Sequence, residues 1–472
     1  MQTISVDPVT RIEGHLKIEV EVDGGKVVSA QSSGTLFRGI ELILQGHDPR
    51  DAQELVQRIC GVCPVGHATA SAFALDDAFG IEPPDNGRIL RNLILGANYI
   101  QSDILHFYHL AALDYVKAPD TILPLAPRYE GDYRLPDDIN AAAVDHYLKA
   151  LEMRKKAHEL CAIFGGRAPA PRSIVPGGVT EVVDAEKILH FKYRLAELID
   201  FIDNIYVPDV LAVADVYKDW LDIGRGCQNM LSFGCYPQKD GSRYIKEGTY
   251  IDGKDGRFDP DQVTEDVKYS WYKDDIDKSP KEAVVAPDHE KANAYSWMKA
   301  PRYEGKVLEV GPLARMWVDK DPTIRGFGEK AFSVMGRHAA RALELQKIAH
   351  AMNDWVMELK PGEPTCAPHE LPKEATGVGT VDAVRGALGH WIKIEGGRIA
   401  KYNCVVPTTW NTSPRDDKDQ PGPVEQALVG TEVKDANNPI ELVRIVRSFD
   451  PCIACAVHVI TPNRNVGAFR VY

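Results

Sequence analysis

The sequence predicts a mainly α protein of the α+β class: a central bundle of long helices with small β-hairpin sheets at its periphery. The first observation is residues 86 to 116 (NGRILRNLILGANYIQSDILHFYHLAALDYV), a periodic stretch whose middle is apolar nearly all round, as suits a helix at the centre of a bundle. The second is further helical periodicity over roughly 137 to 164, ending before Gly165-Gly166, over 184 to 222 with a kink expected at Pro208, and over 323 to 359 before Pro361-Gly362. The third is period-two alternation in LKIEVEVDGGKVVSA (16 to 30) and WIKIEGGRIAKYNCVV (391 to 406). Each is centred on an acidic residue followed by Gly-Gly and reads as a β-hairpin.

The remaining elements follow in chain order. Asp48-Pro49 offers a cap and a Pro at the first helical position, so a helix is expected from there to about Cys60. Residues 236 to 300 are rich in Asp, Lys, Gly, Tyr and Pro without sustained periodicity and read as a surface excursion with short strands. Asn438-Pro439 opens a helix through about Ser448 that delivers Asp450-Pro451-Cys452. The chain is read as one unit, 1–472. Its regions are an N-terminal hairpin region (1–47), a helical core (48–235), an irregular excursion (236–321), a helical and hairpin region (322–458) and a C-terminal extension (459–472).

Composition excludes several classes of function. A hydrophobic share of 44% in 472 residues supports a large buried core, and a net charge of -13 with no compensating basic run argues against nucleic-acid binding. No stretch reaches the ~20 apolar residues of a spanning helix, and MQTISVDPVTRIEGH lacks the order of a secretion signal. Nine Cys, an odd number spread over a long chain, point to metal or redox chemistry rather than a disulfide framework.

Two CxxC pairs carry that chemistry: Cys60 and Cys63 in RICGVCPVGH, and Cys452 and Cys455 in DPCIACAVH. The tight turn of a CxxC lets two sulfurs share an ion, and four soft thiolates select Zn, Fe-S, Ni or Cu(I) over hard cations. A structural zinc site is one reading. Zinc ribbons, however, hold their pairs in one small module, whereas these lie near opposite ends of the chain. Independent redox dithiols are another, but neither pair follows a strand in a βαβ pattern. Cys161, Cys227, Cys235 and Cys366 match no metal motif.

Over essentially its whole length the chain resembles the large subunit of nickel-iron hydrogenases. The resemblance rests on DPVTRIEGH (7 to 15), GTLFRGIE (34 to 41), RICGVCPVGH (58 to 67), KAPRYEGKVLEVGPLAR (299 to 315), VRGALGHW (384 to 391), VVPTTWN (405 to 411) and DPCIACAVH (450 to 458). It implies reversible heterolytic cleavage of H2, with uptake the expected direction. It implies Cys60 and Cys452 as terminal nickel ligands, and Cys63 and Cys455 as bridges to an iron carrying CO and two cyanides. Arg385 would reach toward the diatomic ligands, with Pro407, Thr408 and the adjoining backbone near the cyanides. For the proton, the Cys452 thiolate is the first acceptor expected, with Arg385 the alternative, and Glu13 the next carrier; a salt bridge to Arg11 is the plainer role for that Glu. The resemblance also implies a magnesium or iron ion held by Glu41, the Cys404 carbonyl and His458. His67 is expected beside the metals without binding them.

Within the family the likeness is to the nickel-iron-selenium subclass, with Cys452 where that branch carries selenocysteine. Ser102 stands where many members have an Asp near the arginine, and Val384 where Pro is usual before Arg385, which is expected to loosen the pocket slightly. Residues 459 to 472 resemble the tail that a maturation endopeptidase removes after chaperones insert the metals. No cysteine array remains for an electron wire, so the resemblance implies a small Fe-S subunit as partner and, beyond it, a cytochrome or other carrier. Export with that subunit would make the pair periplasmic or membrane-associated; a cytoplasmic heterodimer is the alternative. The competing readings are a zinc-stapled helical scaffold and a large subunit like that of respiratory complex I, a branch without either cysteine pair.

Overall fold

The computed structural model describes residues 1–119, 121, 131–274 and 276–456. The central helix forms over Asp85–Ile104 and continues as a π-helical turn, Leu105–Ala111, and a short 3-10 turn, Ala112–Asp114. Every residue from Ile89 to Ile104 is buried, which accounts for an apolar pattern without a solvent face. Asp137–Gly165, Ala185–Phe201 and Val334–Glu358 pack around it as the bundle.

Pro208 acts one turn ahead of itself. Between Ala185–Phe201 and Val207–Val216 the chain widens into a π turn, Ile202–Tyr206, because Pro lacks an N–H and crowds the preceding carbonyl.

Two expected helices break up. The stretch from 323 to 359 divides into Pro322–Gly326, a 3-10 turn Gly328–Ala331, and Val334–Glu358. Gly326 and Gly328 are poor helix formers, and the Ser333 hydroxyl accepts the Gly336 N–H at 3.0 Å to start the long helix afresh. Asp48 caps only a 3-10 turn, Pro49–Asp51, before a short helix Ala52–Val56 and another 3-10 turn Gln57–Ile59. The first CxxC therefore lies in the gap before the helix Pro64–Phe79, with Cys63 as its N-cap residue.

Both hairpins form, each within a three-stranded antiparallel sheet: Gln2–Val6, Leu16–Asp23 and Lys26–Gly34 in one, Ala375–Ala383, Gly386–Glu395 and Arg398–Val405 in the other. In the second sheet Ala383 pairs with Gly386, so Val384 and Arg385 are the two loop residues of a tight hairpin. Segment 236 to 300 does carry short strands, including Arg243–Ile245, Gly248–Ile251 and Val263–Asp266, but its end is not surface. Val263–Asp266 pairs with Ala300–Tyr303, and Glu265, Lys299 and Arg302 are buried. One apolar core runs from Ile4 to Ala456 and joins these regions. No helix among the described residues is long and apolar enough to cross a membrane.

The helix that starts at the first CxxC is pressed against the strand Ala375–Ala383. A Cβ at Gly379 would lie 2.0 Å from the Ala70 oxygen and 2.4 Å from the Ala74 nitrogen, so only glycine permits this approach. Gly379→Ala is expected to destabilise the protein by about 1–3 kcal/mol, read as a lowered Tm. Gly326→Ala, an exposed helical position with nothing within 4 Å of the new Cβ, should leave it unchanged or higher.

Candidate metal centre

Cys60 and Cys63 come from the gap before Pro64–Phe79; Cys452 and Cys455 follow the helix Ile440–Ser448. The two pairs converge in the core. Cys60 Sγ is 3.2 Å from Cys452 Sγ, Cys63 Sγ is 3.2 Å from Cys455 Sγ, and Cys452 and Cys455 are 3.0 Å apart. All four are buried, with sulfurs within 4.8 Å of one another, the only such group of potential ligands among the described residues.

This geometry has an electrostatic consequence. Hydrogen bonds from Cys452, Cys455 and Cys63 pull the Cys60 thiol well below its ordinary value, while burial pushes Cys452 and Cys455 well above theirs. Left to themselves the sulfurs share negative charge through protons. Four thiolates this close require cations in their midst, and soft sulfur selects a soft metal. Metal–sulfur bonds of about 2.3 Å place tetrahedral sulfurs roughly 3.8 Å apart. The observed separations of 3.0 to 3.9 Å bring all four sulfurs within reach of shared metal, and none of them marks one pair off from the others.

Backbone and side chains from distant segments hold the two pairs together. The Ile453 N–H donates to the Glu13 carbonyl at 2.8 Å, and Glu13 Oε2 accepts the Ala454 N–H at 2.9 Å while standing 3.2 Å from Cys452 Sγ. Next to it Gly14, at φ +82°, lies so close that a Cβ would be 2.7 Å from the Ala454 nitrogen. Arg38 spans both pairs: it donates to the Ala454 carbonyl at 2.6 Å, to the Arg58 carbonyl at 3.1 Å and to the Ile59 carbonyl. Asn98 and Gln101, on the central helix, donate to the Val62 carbonyl inside the first CxxC at 3.1 and 2.7 Å.

Arg385 projects from its hairpin into this region and is buried. Its Nε donates to the Asp450 carbonyl and its Nη2 to Asp450 Oδ1, each at 3.0 Å, with Nη1 3.5 Å from Ser102 Oγ. The Ser for Asp exchange at 102 thus leaves the guanidinium one carboxylate, Asp450. Val384 precedes Arg385 in the hairpin loop. It is buried, and its carbonyl accepts Arg315 Nη2 at 2.8 Å, from a guanidinium itself clamped by Glu344 at 2.6 Å. Pro407 opens the short helix Pro407–Asn411, and the Thr408 hydroxyl accepts the Cys452 N–H at 2.9 Å.

Glu13 is not paired with Arg11, which bonds to Asp114 instead. Burial and then the Cys60 charge raise its carboxyl above the ordinary range. At the second expected ion site Glu41 and Cys404 do meet, but through the Cys404 N–H, which donates to Glu41 Oε1 at 3.1 Å. Burial raises the Glu41 carboxyl, and Lys299, paired with Glu265 at 2.7 Å, opposes that rise. His458 lies outside the described residues. His67 is buried four residues past Cys63, its ring nitrogen 3.2 Å from His390, which in turn lies 2.8 Å from the Tyr402 hydroxyl. Cys161, Cys227, Cys235 and Cys366 stand apart from the four-cysteine group. Sequence reasoning overlooked Arg38 and Asp450, although both sit inside quoted motifs; nothing local marks their partners, which are 416 and 65 residues away.

Thr408→Val keeps the shape but leaves the buried Cys452 N–H without an acceptor, a cost of about 1–3 kcal/mol. Thermal unfolding is expected to show that loss and its recovery in Thr408→Ser.

The profile of a family described as "Nickel-dependent hydrogenase" matches residues 38–122 and 118–458, and one described as "HoxL-like" matches 3–33. The chain is 47% identical to the periplasmic [NiFeSe] hydrogenase large subunit of Desulfomicrobium baculatum, over 97% of this chain and 95% of that one. It is 37% identical to the uptake hydrogenase large subunit of Rhizobium leguminosarum bv. viciae, over 98% and 96%. The structure of the Ni-Fe-Se hydrogenase from D. vulgaris Hildenborough in the reduced state superposes with a TM-score of 0.94 at 48% identity, covering 97% of this chain and 100% of that one. With both cysteine pairs intact and converged, the scaffold and complex I-like readings are not favoured. The chain belongs to the nickel-dependent hydrogenase family, as a large subunit.

Proposed function

We propose that the four-cysteine site holds nickel and iron side by side and that the protein cleaves H2 heterolytically there, in the uptake direction. The observation that carries this reading is the convergence of four buried sulfurs from both ends of a hydrogenase-family chain. Cys60 and Cys452 would hold nickel as terminal ligands, and Cys63 and Cys455 would be shared with an iron carrying CO and two cyanides. The metal pair, when bound, supplies the Lewis-acid and redox chemistry that polarises H2 and takes up its electrons.

The chain's own residues do the rest. The fixed charge of Arg385, oriented by Asp450, borders the pocket for the diatomic ligands. Thr408, having accepted the Cys452 N–H, keeps its hydroxyl hydrogen for a cyanide nitrogen beside Pro407. Glu13 Oε2, 3.2 Å from Cys452 Sγ, is within reach to take a proton from that sulfur. Glu41, the Cys404 carbonyl and His458 hold magnesium or iron and tie the second CxxC segment to the N-terminal region.

The family's large subunits imply a small-subunit partner. We assign it Fe-S clusters that pass electrons to a cytochrome or other carrier. Metal-insertion chaperones load the site, an endopeptidase removes residues 459 to 472, and export with the small subunit places the pair in the periplasm.

Metal analysis and infrared spectroscopy of the matured heterodimer should find Ni, Fe and bands of bound CO and cyanide; zinc alone, without the bands, would sink the reading. Glu13→Gln should retain metals and bands while H2 oxidation falls about 10²-fold. Unchanged turnover would remove Glu13 from the proton route.

A further inference from the structure

A second group of polar residues, separate from Glu13, lies between the central helix and Val334–Glu358. Asp103 and His106 are three residues apart where the central helix passes into its π turn; His338 and Arg341 are three apart on Val334–Glu358. That spacing puts each pair on one helix face, and the two helices pack together. The His106 and His338 rings stack with centroids 5.5 Å apart, and Arg341 Nε stands 3.9 Å from Asp103 Oδ1, beyond hydrogen-bond length.

These groups are buried and incompletely bonded. Both Asp103 oxygens, Asp450 Oδ2, Arg341 Nε and Nη1, His106 Nδ1, His338 Nε2 and the Tyr115 hydroxyl lack hydrogen-bond partners among the described residues. Leaving so many polar atoms dry would cost about 1–3 kcal/mol each, so the cluster needs an occupant. The atoms themselves say which. Arginine nitrogens can only donate and carboxylate oxygens call for donors, so neither a cation nor an anion satisfies the set, whereas water does. His106 is oriented for it: Nε2 gives its hydrogen to the Arg447 carbonyl at 2.7 Å, which leaves Nδ1 as a bare acceptor.

A line of polar groups can be followed from the site toward the surface. At the inner end Asp450, whose Oδ1 holds Arg385, presents its other oxygen. Beyond His338 come Tyr115, with ring centroids 6.3 Å apart, and then Asp114, which accepts Arg447 at 2.7 Å and also bonds Arg11. Arg444 donates to the Asp114 carbonyl and, at 3.0 Å, to Asp132. Asp132 lines a surface cavity of about 550 Å³ together with Trp220 and Glu441. Other charged groups facing the line are occupied, Glu344 by Arg315 at 2.6 Å and Asp114 by its arginines.

We propose that the space between these two helices holds a chain of bound waters running from the Asp450–Arg385 pair to the cavity at Asp132, and that Asp103 is its proton-holding member, giving a second exit for protons. Asp103 takes a proton from the inner water and releases one to the outer; no electron moves. Asp450 and Arg385 only order the inner water. Burial keeps the Asp103 carboxyl well above the ordinary carboxylate range, with Arg341 opposing this, and burial keeps His106 and His338 neutral. The line thus carries no fixed positive charge on its imidazoles to repel a passing proton. The inference rests on the reading that protons are released at the four-cysteine site.

The test uses the matured heterodimer. A high-resolution crystal structure should show ordered waters joining Asp103, Arg341 and His338; a dry gap would overturn the proposal without any variant. Infrared spectra should show a buried carboxylic C=O band that shifts in D2O and vanishes in Asp103→Asn while the CO and cyanide bands stay put; a band that persists in the variant would overturn it. Isotope exchange between H2 and D2O completes the test. In a Glu13→Gln background, Asp103→Asn should lower the residual exchange by a further tenfold or so, and Asp103→Glu should restore it. No residual exchange after Glu13→Gln alone, or none lost on adding Asp103→Asn, would overturn the second exit. Full exchange in Glu13→Gln that Asp103→Asn alone removes would instead sink the Glu13 route and leave this one standing.

Discussion

Four thiols from opposite ends of the chain meet in the buried core, and most of the fold serves that meeting. Sulfurs about 3 Å apart cannot all ionise without cations among them, and cannot stay apart without losing the site. The Glu13 segment laid beside Cys452, the Arg38 guanidinium spread over carbonyls of both CxxC segments, and the amides of Asn98 and Gln101 on Val62 all oppose separation. Each acts through backbone, so the sulfurs themselves remain available to metal.

Buried arginines form a scaffold around this centre: Arg385 on Asp450, Arg315 on Glu344, Arg337 on Glu309 and Arg447 on Asp114. Buried pairs of this kind seldom add much net stability, since desolvation offsets their attraction. What they provide is direction. A forked guanidinium held by a carboxylate on one side and carbonyls on the other has one orientation, and the hairpin loop at Val384–Arg385 is fixed by two such forks, its own and that of Arg315. Protein contacts alone thus orient this part of the pocket wall.

Much of this was legible in the sequence because it is local. Period-two alternation around Gly24-Gly25 and Gly396-Gly397 specified both hairpins, and an all-round apolar run specified the central helix. The cysteine spacing specified a shared metal, though not which one; the flanking motifs did that. What stayed hidden was decided elsewhere. The break at 326 to 333 depended on a Ser cap outweighing continued periodicity, and the π turns have no residue signature beyond Pro208. Asp450 as the partner of Arg385, and Arg38 as the link between the pairs, are tertiary facts that no window of sequence contains.

Protons and electrons have different needs, and the structure separates them. Electron transfer over the thickness of this subunit would require further redox centres, yet among the described residues the four-cysteine group is the only cluster of soft ligands, and Cys161, Cys227, Cys235 and Cys366 stand apart from it. On the proposed function, electrons leave toward the small subunit that the family's large subunits imply. Protons need closely spaced groups that can both give and receive, and here the chain is generously supplied, with Glu13 against Cys452 and with Asp103, His106 and His338 between two packed helices. Burial pushes these carboxyls toward the protonated form and these imidazoles toward neutrality, so at rest they place no charge in the core. On the proposed reading, a subunit built this way supplies the groups that handle protons and leaves the electrons to its partner.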